Sequence, residues 1–338
     1  MKATIKDVAK AVGVSPSTVS RALHNNRRIS QEVRQRVQQA AREMNFHPNQ
    51  MARSLVNRQT RIVGIVFPGD AAQNLGNPFF PLVLQGLGAV AGARRYHLLL
   101  ATGNEDLSAM EAGKQLVDSG YVSGLVLLAA EDVPAERLSV PVVLVGRPPH
   151  ECIRLSVDNN NVEAGYQAAQ YLLDRGHRRL MFLGYDRHYL MTVDRRQGFE
   201  KALSQANLPL REDWVLPSRY LENEVDSERL GRIFQGPDRP TGVVCIDDAL
   251  AIGLCGFLKQ QGLNVPTDVS LISFNNTDAG RYHAPALTSF DVSAYQLGVS
   301  AMNLMLDVIR DGSEEETRSI EVPFTLMERD SVARCGKD

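Results

Sequence analysis

The chain has 338 residues, of which 43% are hydrophobic and 22% charged, and a formal net charge of −2 at pH 7. That supplies apolar side chain for a small module plus one or two larger domains, and no apolar run reaches bilayer-spanning length. The opening Met1-Lys2-Ala3-Thr4-Ile5-Lys6-Asp7 has no secretory apolar core, and Cys152, Cys245, Cys255 and Cys335 are scattered without metal-ligand spacing, so the expectation is a cytoplasmic protein with reduced thiols and no metal or other cofactor.

Charge is unevenly distributed. Through Arg61 there are 12 Lys and Arg against Asp7, Glu32 and Glu43, a net +9, which leaves −11 on the remainder of a chain whose total is −2. A basic head on an acidic body is the charge plan of a nucleic-acid binder joined to a domain with another task. In the head, Thr4-x-x-Asp7 predicts a capping box in front of Ile5, Val8, Ala9 and Val12 at helical spacing. Gly13 stops that helix. Ser15 as N-cap and Pro16 at the first helical position start a second. Its Val19, Ala22 and Leu23 make a narrow apolar face. The opposite face carries Pro16, Ser17, Ser20 and Arg21: small residues that permit close approach, and a guanidinium suited to the O6/N7 edge of guanine. Two helices about a Gly-containing turn predict a helix-turn-helix that reads the major groove. Ser30 caps a third helix whose inner face, Val33, Val37, Ala40, Ala41 and Met44, closes the small core. Pro48-Asn49 then starts a segment of only about two helical turns, a length that is marginal in water without a partner.

From Arg61 the texture changes to β-branched runs alternating with helices. Strands are expected at 61–67, 97–102, 124–128 and 142–145, with helices at 80–91 and 108–119. A second series follows Asp158: helix 163–174, strand 180–184, helix 196–205, strand 242–246, helix 249–261 and strand 269–274. Two such series predict two α/β subdomains with parallel sheets and a cleft between them. Ligands in such folds sit at the carboxyl ends of strands. There the sequence places Asn77-Pro78-Phe79-Phe80, Asn104-Glu105, Asp247-Asp248 and Asn275-Asn276, with Arg195 opening a helix and Arg147 just past Val145. Aromatic rings beside amides, carboxylates and an Arg suit a sugar, whose C–H face stacks while its hydroxyls take the polar groups. The candidate ligand set is Asn77, Phe79, Phe80, Asn104, Arg147, Arg195, Asp247 and Asn275. No G-x-S-x-G elbow, P-loop or H-E-x-x-H motif is present, and adjacent Asp247-Asp248 read as hydroxyl binders or helix caps, so an enzyme is not expected.

Ala3-Thr4-Ile5-Lys6-Asp7-Val8-Ala9, Val14-Ser15 and Thr18-Val19-Ser20-Arg21-Ala22-Leu23 resemble the head of the LacI/GalR family of bacterial repressors. The likeness continues through Asn77-Pro78-Phe79-Phe80, Val157-Asp158-Asn159, Gly176-His177, Gly198-Phe199, Val265 to Ile272 and Pro285 to Ser289. It implies a helix-turn-helix domain at 1–48, a hinge helix and linker at 49–60, and a two-lobed periplasmic-binding-protein-like body at 61–338 for effector binding and dimerisation. In the family the positions matching Pro16, Ser17 and Arg21 face the major groove. Pro16 departs from a hydrogen-bonding residue there. Leu55 would wedge into the minor groove, Ala52 would lie near its floor and Arg53 would meet the backbone. With Thr4, Ser15, Ser20 and Asn49 these complete the expected DNA-binding set. Phe79, Arg195, Asp247 and Asn275 match positions that line the effector cleft, with Asn275 where many members carry Asp. Ser273-Phe274-Asn275-Asn276 together with the Asn77 stretch resembles the maltose-type members. The resemblance implies a homodimer on a pseudo-palindromic operator, controlled by a small effector such as maltose or another α-glucoside. A purine or other metabolite is the alternative effector, and a solute-binding protein without DNA function the alternative role.

Overall fold

A computed structural model of the protein describes residues 3–23, 26, 28–46, 60–68, 75–103, 107–128, 138–149, 153–185, 189–217, 224–313 and 316–336. The chain divides into two compact units, Met1–Thr60 and Arg61–Asp338.

The first unit contains α1 (Ile5–Val12), α2 (Pro16–Leu23) and α3 (Gln31–Glu43). Local chemistry sets their ends. The Asp7 carboxylate accepts from the Thr4 backbone N–H at 2.8 Å and from its hydroxyl at 2.7 Å, which ties down the start of α1. Gly13 closes the helix in the left-handed region at φ 71°, where a β-carbon would be strained. Ser15 Oγ accepts from Thr18 N at 3.1 Å to cap α2. Arg36 reaches back to the Val12 carbonyl at 3.0 Å, a cation on the negative end of α1. The core is made of small side chains, Val8, Ala9, Val12, Val19, Ala22, Val37 and Ala41, which lets three short helices pack closely.

The second unit holds two sheets. The first runs β11 (Arg318–Glu321), β5 (Leu155–Asp158), β4 (Val142–Val145), β3 (Leu125–Leu127), β1 (Ile62–Val66), β2 (His97–Ala101), with neighbours parallel throughout. The second runs β12 (Thr325–Met327), β10 (Thr288–Asp291), β9 (Ser270–Phe274), β8 (Gly242–Cys245), β6 (Leu180–Gly184), β7 (Val215–Pro217), parallel except where β12 lies antiparallel on β10. β3, β8 and β9 are buried along their whole length, as parallel strands covered on both faces require. Around the sheets lie α4 (Phe79–Ala93), α5 (Ala109–Asp118), α6 (Asn161–Asp174), α7 (Leu190–Gln205), α8 (Glu224–Gln235), α9 (Asp248–Gln260), α10 (Asp278–Tyr282) and α11 (Ala294–Asp311). Among the described residues no helix is long and apolar enough to cross a membrane.

The lobes are not simply consecutive halves of this unit, as two successive βα series would suggest. After β5 the chain passes to the second lobe. It returns after β10, where α11 packs on α4 and against β4 and β5, and crosses again after β11. The buried Asn159 amide joins these crossings, donating to the carbonyls of Val292 at 3.1 Å and Val322 at 2.8 Å. Val322 N in turn donates to the Asp158 carbonyl at 2.8 Å. One side chain therefore holds all the inter-lobe connections in register.

Candidate functional site

In the head, α2 turns Val19 and Ala22 into the core and leaves Pro16, Ser17 and Arg21 exposed, with Ser20 half-buried beside them. The exposed face is shallow apart from Arg21. Ser15 Oγ lies 2.8 Å from Ser17 Oγ and 2.9 Å from Thr18 Oγ1, so the hydroxyls at the helix start are held in a small network. Thr4 is exposed and bonded to Asp7. Asn49, Ala52, Arg53 and Leu55 lie outside the described residues.

In the body the structure brings three of the expected strand-end residues together, Arg195, Asp247 and Asn77. The position of Arg195 follows from an unusually close helix pair: a β-carbon on Gly165 would lie 2.0 Å from the Arg195 carbonyl oxygen, and one on Gly198 would lie 1.9 Å from the Val162 carbonyl oxygen. Only glycine permits that approach of α6 and α7. The Arg195 side chain is buried and fully directed. Nε donates to Asn161 Oδ1 at 2.9 Å, a terminal N–H donates to the Ile246 carbonyl at 2.8 Å, and the guanidinium stands 4.0 Å over the Phe274 ring. Burial pulls its pKa down to about 10 against the carboxylates of Asp158, Asp247 and Asp194, so it remains cationic at neutral pH.

Asp247 is the N-cap of α9, accepting from Leu250 N at 2.9 Å. Its other oxygen takes the Tyr185 hydroxyl and, at 3.4 Å, the Asn77 amide from the opposite lobe. Burial raises its pKa, while those bonds and Arg195 oppose the rise. Its neighbour Asp248 serves the frame, accepting from Ser289 Oγ at 2.7 Å, Thr277 N at 2.6 Å and Thr277 Oγ1 at 2.8 Å, as well as from Ser273 Oγ. On the other wall Asn77 Oδ1 accepts from Phe79 N at 3.1 Å and sets the start of α4. The Phe79 ring meets Phe80 edge-on at 5.3 Å, and Phe80 lies 5.8 Å from Phe67. Asn275 is half-buried at φ 91°, its N–H on the Phe290 carbonyl at 2.8 Å, directly after the Phe274 ring that supports Arg195. Asn104 lies outside the described residues.

Arg147 has a protein partner of its own. Its Nε contacts Asp194 Oδ2 at 2.8 Å across the lobes. Sequence reasoning passed over Asp194, and also over Tyr185, Tyr189, Asn161 and Asp158. Tyr185 follows Gly184, the end of a strand already read as such, so the rule used for the other strand ends would have found it. Its ring lies 5.6 Å from that of Tyr189. Asp158 ends a strand whose Ser156 and Asp158 break up the apolar run; burial raises its pKa to about 6. Amides, carboxylates and a fixed guanidinium from the two lobes thus meet at Asp247, with the Tyr185 ring beside them.

Comparison with known proteins agrees with both halves of this description. Residues 4–49 match the family described as bacterial regulatory proteins, lacI family, and residues 169–332 match a periplasmic binding protein-like domain. The HTH-type transcriptional regulator MalR of Streptococcus pneumoniae is 34% identical over 94% of this chain and 95% of its own length. The chain belongs to the lacI family of bacterial regulatory proteins. The family assignment makes it a DNA-binding transcriptional regulator, and not an enzyme. The HTH-type transcriptional repressor PurR of Erwinia tasmaniensis is 32% identical over 98% of this chain and 97% of its own length. A solved complex of the transcriptional regulator CelR with cellobiose is 25% identical, with a TM-score of 0.73, over 97% of this chain and 99% of that one.

Proposed function

We propose that this regulator is a repressor of a carbohydrate-use operon, controlled by a neutral sugar held between the lobes of its body. The carrying observation is the cleft itself. Asn77, which holds Phe79 N and lies beside the Phe79–Phe80 pair, reaches Asp247 across the lobes, and Asp247 takes the hydroxyl of Tyr185, whose ring neighbours that of Tyr189. Rings of this kind stack on the C–H face of a pyranose, and the fixed polar groups take its hydroxyls; Asn275 adds an amide that both donates and accepts. The similarity to a regulator solved with cellobiose, a glucose disaccharide, favours a glucosyl disaccharide. Maltose is the leading candidate.

On DNA, Pro16, Ser17, Ser20 and Arg21 face the major groove, one head of a homodimer per half-site, with Thr4 and Ser15 beside them. Asn49, Ala52, Arg53 and Leu55 form the segment that orders on the minor groove. The test is a thermal-shift and calorimetric comparison of maltose, cellobiose and hypoxanthine, followed by a gel shift on operator DNA with each ligand that binds. A disaccharide that raises the melting temperature and changes operator affinity is the expected result. Hypoxanthine alone doing so would replace the sugar with a purine.

A further inference from the structure

The ion pair between Arg147 and Asp194 joins the two lobes, and its place is not that of an ordinary surface pair, because the Asp194 carboxylate is buried. Arg147 stands immediately after β4, behind Gly146, whose φ of 131° swings the chain out at the carboxyl edge of the first lobe. Asp194 lies near the start of α7 in the second lobe, next to Arg195. The pair is 2.8 Å long, with the Asp194 side chain only 9% exposed and the Arg147 side chain 47% exposed.

Asp194 also lies within electrostatic reach of the Asp158 carboxylate, which belongs to the opposite lobe, and pushes against it. Bringing the lobes together therefore places two carboxylates near each other while Asp194 loses water. Arg147 is the cation of the first lobe that the closed arrangement delivers onto Asp194. The remaining inter-lobe side-chain contact described above, Asn77 to Asp247, joins neutral to ionic partners at 3.4 Å and is the weaker of the two.

We propose that Arg147 and Asp194 form a closure latch, an ion pair made only when the lobes approach, through which Arg147 positions the helix carrying Arg195 and so sets effector affinity without touching the effector. Arg147 is then a positioning residue, acting through Asp194. The link to effector affinity rests on the proposed cleft; the link to lobe closure does not, and the experiment separates them.

The test is a charge-reversal cycle on the full chain: Arg147→Asp, Asp194→Arg and the double variant. Maltose affinity is read by calorimetry, and hydrogen exchange of the crossover segment 156–162 is followed in sugar-free protein. Each single variant is expected to weaken maltose binding by about tenfold and to speed crossover exchange, while the double variant returns to within about threefold of wild type. Arg147→Lys, which keeps the charge and is tolerated at a half-exposed site, should lie between wild type and the reversals. A double variant as weak as the weaker single variant, with no restored protection, overturns the latch and leaves Arg147 or Asp194 as a direct effector contact. If wild type binds no maltose, restored protection in the double variant still supports the latch while the maltose reading fails; additive exchange in the double variant overturns the latch whatever the ligand.

Discussion

In the first lobe α4 and α11 close on Gly86 and Gly298: a β-carbon on Gly86 would lie 2.1 Å from the Tyr295 carbonyl oxygen, and one on Gly298 would lie 2.1 Å from that of Val83. In the second lobe α6 and α7 close in the same way on Gly165 and Gly198. The helices that follow a crossing, α11 and α6, take the same role in their respective lobes, so one helix-pair design is used twice. What each pair carries differs. In the second lobe the contact falls on the backbone of Arg195, and the strand ends beneath it hold Asp247, Asp248 and their hydrogen-bonded partners. In the first lobe the pair carries Phe79 and Phe80 at the start of α4, ring against ring. In the proposed effector site a rigid polar frame would then supply orientation from one lobe and apolar rings would supply affinity from the other.

The largest effect expected from breaking this comparison is at the glycines. Gly165→Ala and Gly86→Ala each force backbone apart in a packed core and should cost about 3 kcal/mol or more in urea unfolding. Their functional consequences should diverge. At matched stability, reached by working at lower temperature, Gly165→Ala should abolish the effector response because it displaces Arg195. Gly86→Ala should retain a response. Equal loss of response in both would show that the lobes share the positioning task evenly.

Next in size is Asp248→Ala. The carboxylate is buried and accepts from two serines and from both the backbone and hydroxyl of Thr277. Removing it strands those donors and should cost about 3 kcal/mol. Asn159→Ala follows at about 2 kcal/mol, since it leaves two buried carbonyls unpaired. That loss should come with faster hydrogen exchange around 156–162 and 290–293. A stability loss with unchanged exchange at the crossings would mean that Asn159 serves one lobe and does not tie the two together.

These residues also mark where the sequence was legible and where it stopped being so. The head was readable to the residue because caps, a left-handed Gly13 and a three-residue repeat of small apolar side chains are all local signals. The long apolar strands were readable for the same reason. β5, β10, β11 and β12 were not, because they are short and interrupted by Ser, Thr, Asp or Glu, and their burial comes from neighbours distant in sequence. Without β5 and β11 the return of α11 to the first lobe could not be seen. In the cleft, Asp247, Arg195 and Asn77 were found from strand ends and family likeness. Asp194 was missed because what marks it, an ion pair with Arg147 of the other lobe, is invisible along the chain.

The smallest effects lie in the pH dependence, where the lobes should respond with opposite signs. Burial raises the Asp158 pKa from 3.8 to about 6. The folded chain then holds a proton there that the unfolded chain has lost, so this contribution to stability is complete below 3.8 and disappears as pH rises through about 6. Asp158→Asn keeps an oxygen for Asn159 N and Asn161 Nδ2 and removes the ionised group. It should stabilise the protein by about 1–2 kcal/mol at pH 7, with the gap to wild type opening as pH rises from about 4 to about 6 and level above that. His177 in the second lobe works the other way. It is buried between Thr241 Oγ1 at 3.2 Å and the Ala333 carbonyl at 3.1 Å, and burial lowers its pKa. The unfolded chain binds the extra proton, so this contribution is present above the ordinary value of 6.5 and is lost as pH falls from there. Urea unfolding of His177→Gln and Asp158→Asn across pH 5 to 8 should therefore flatten opposite slopes of the wild-type curve. Slopes that change in the same direction would show that the two lobes are not electrostatically distinct at these sites.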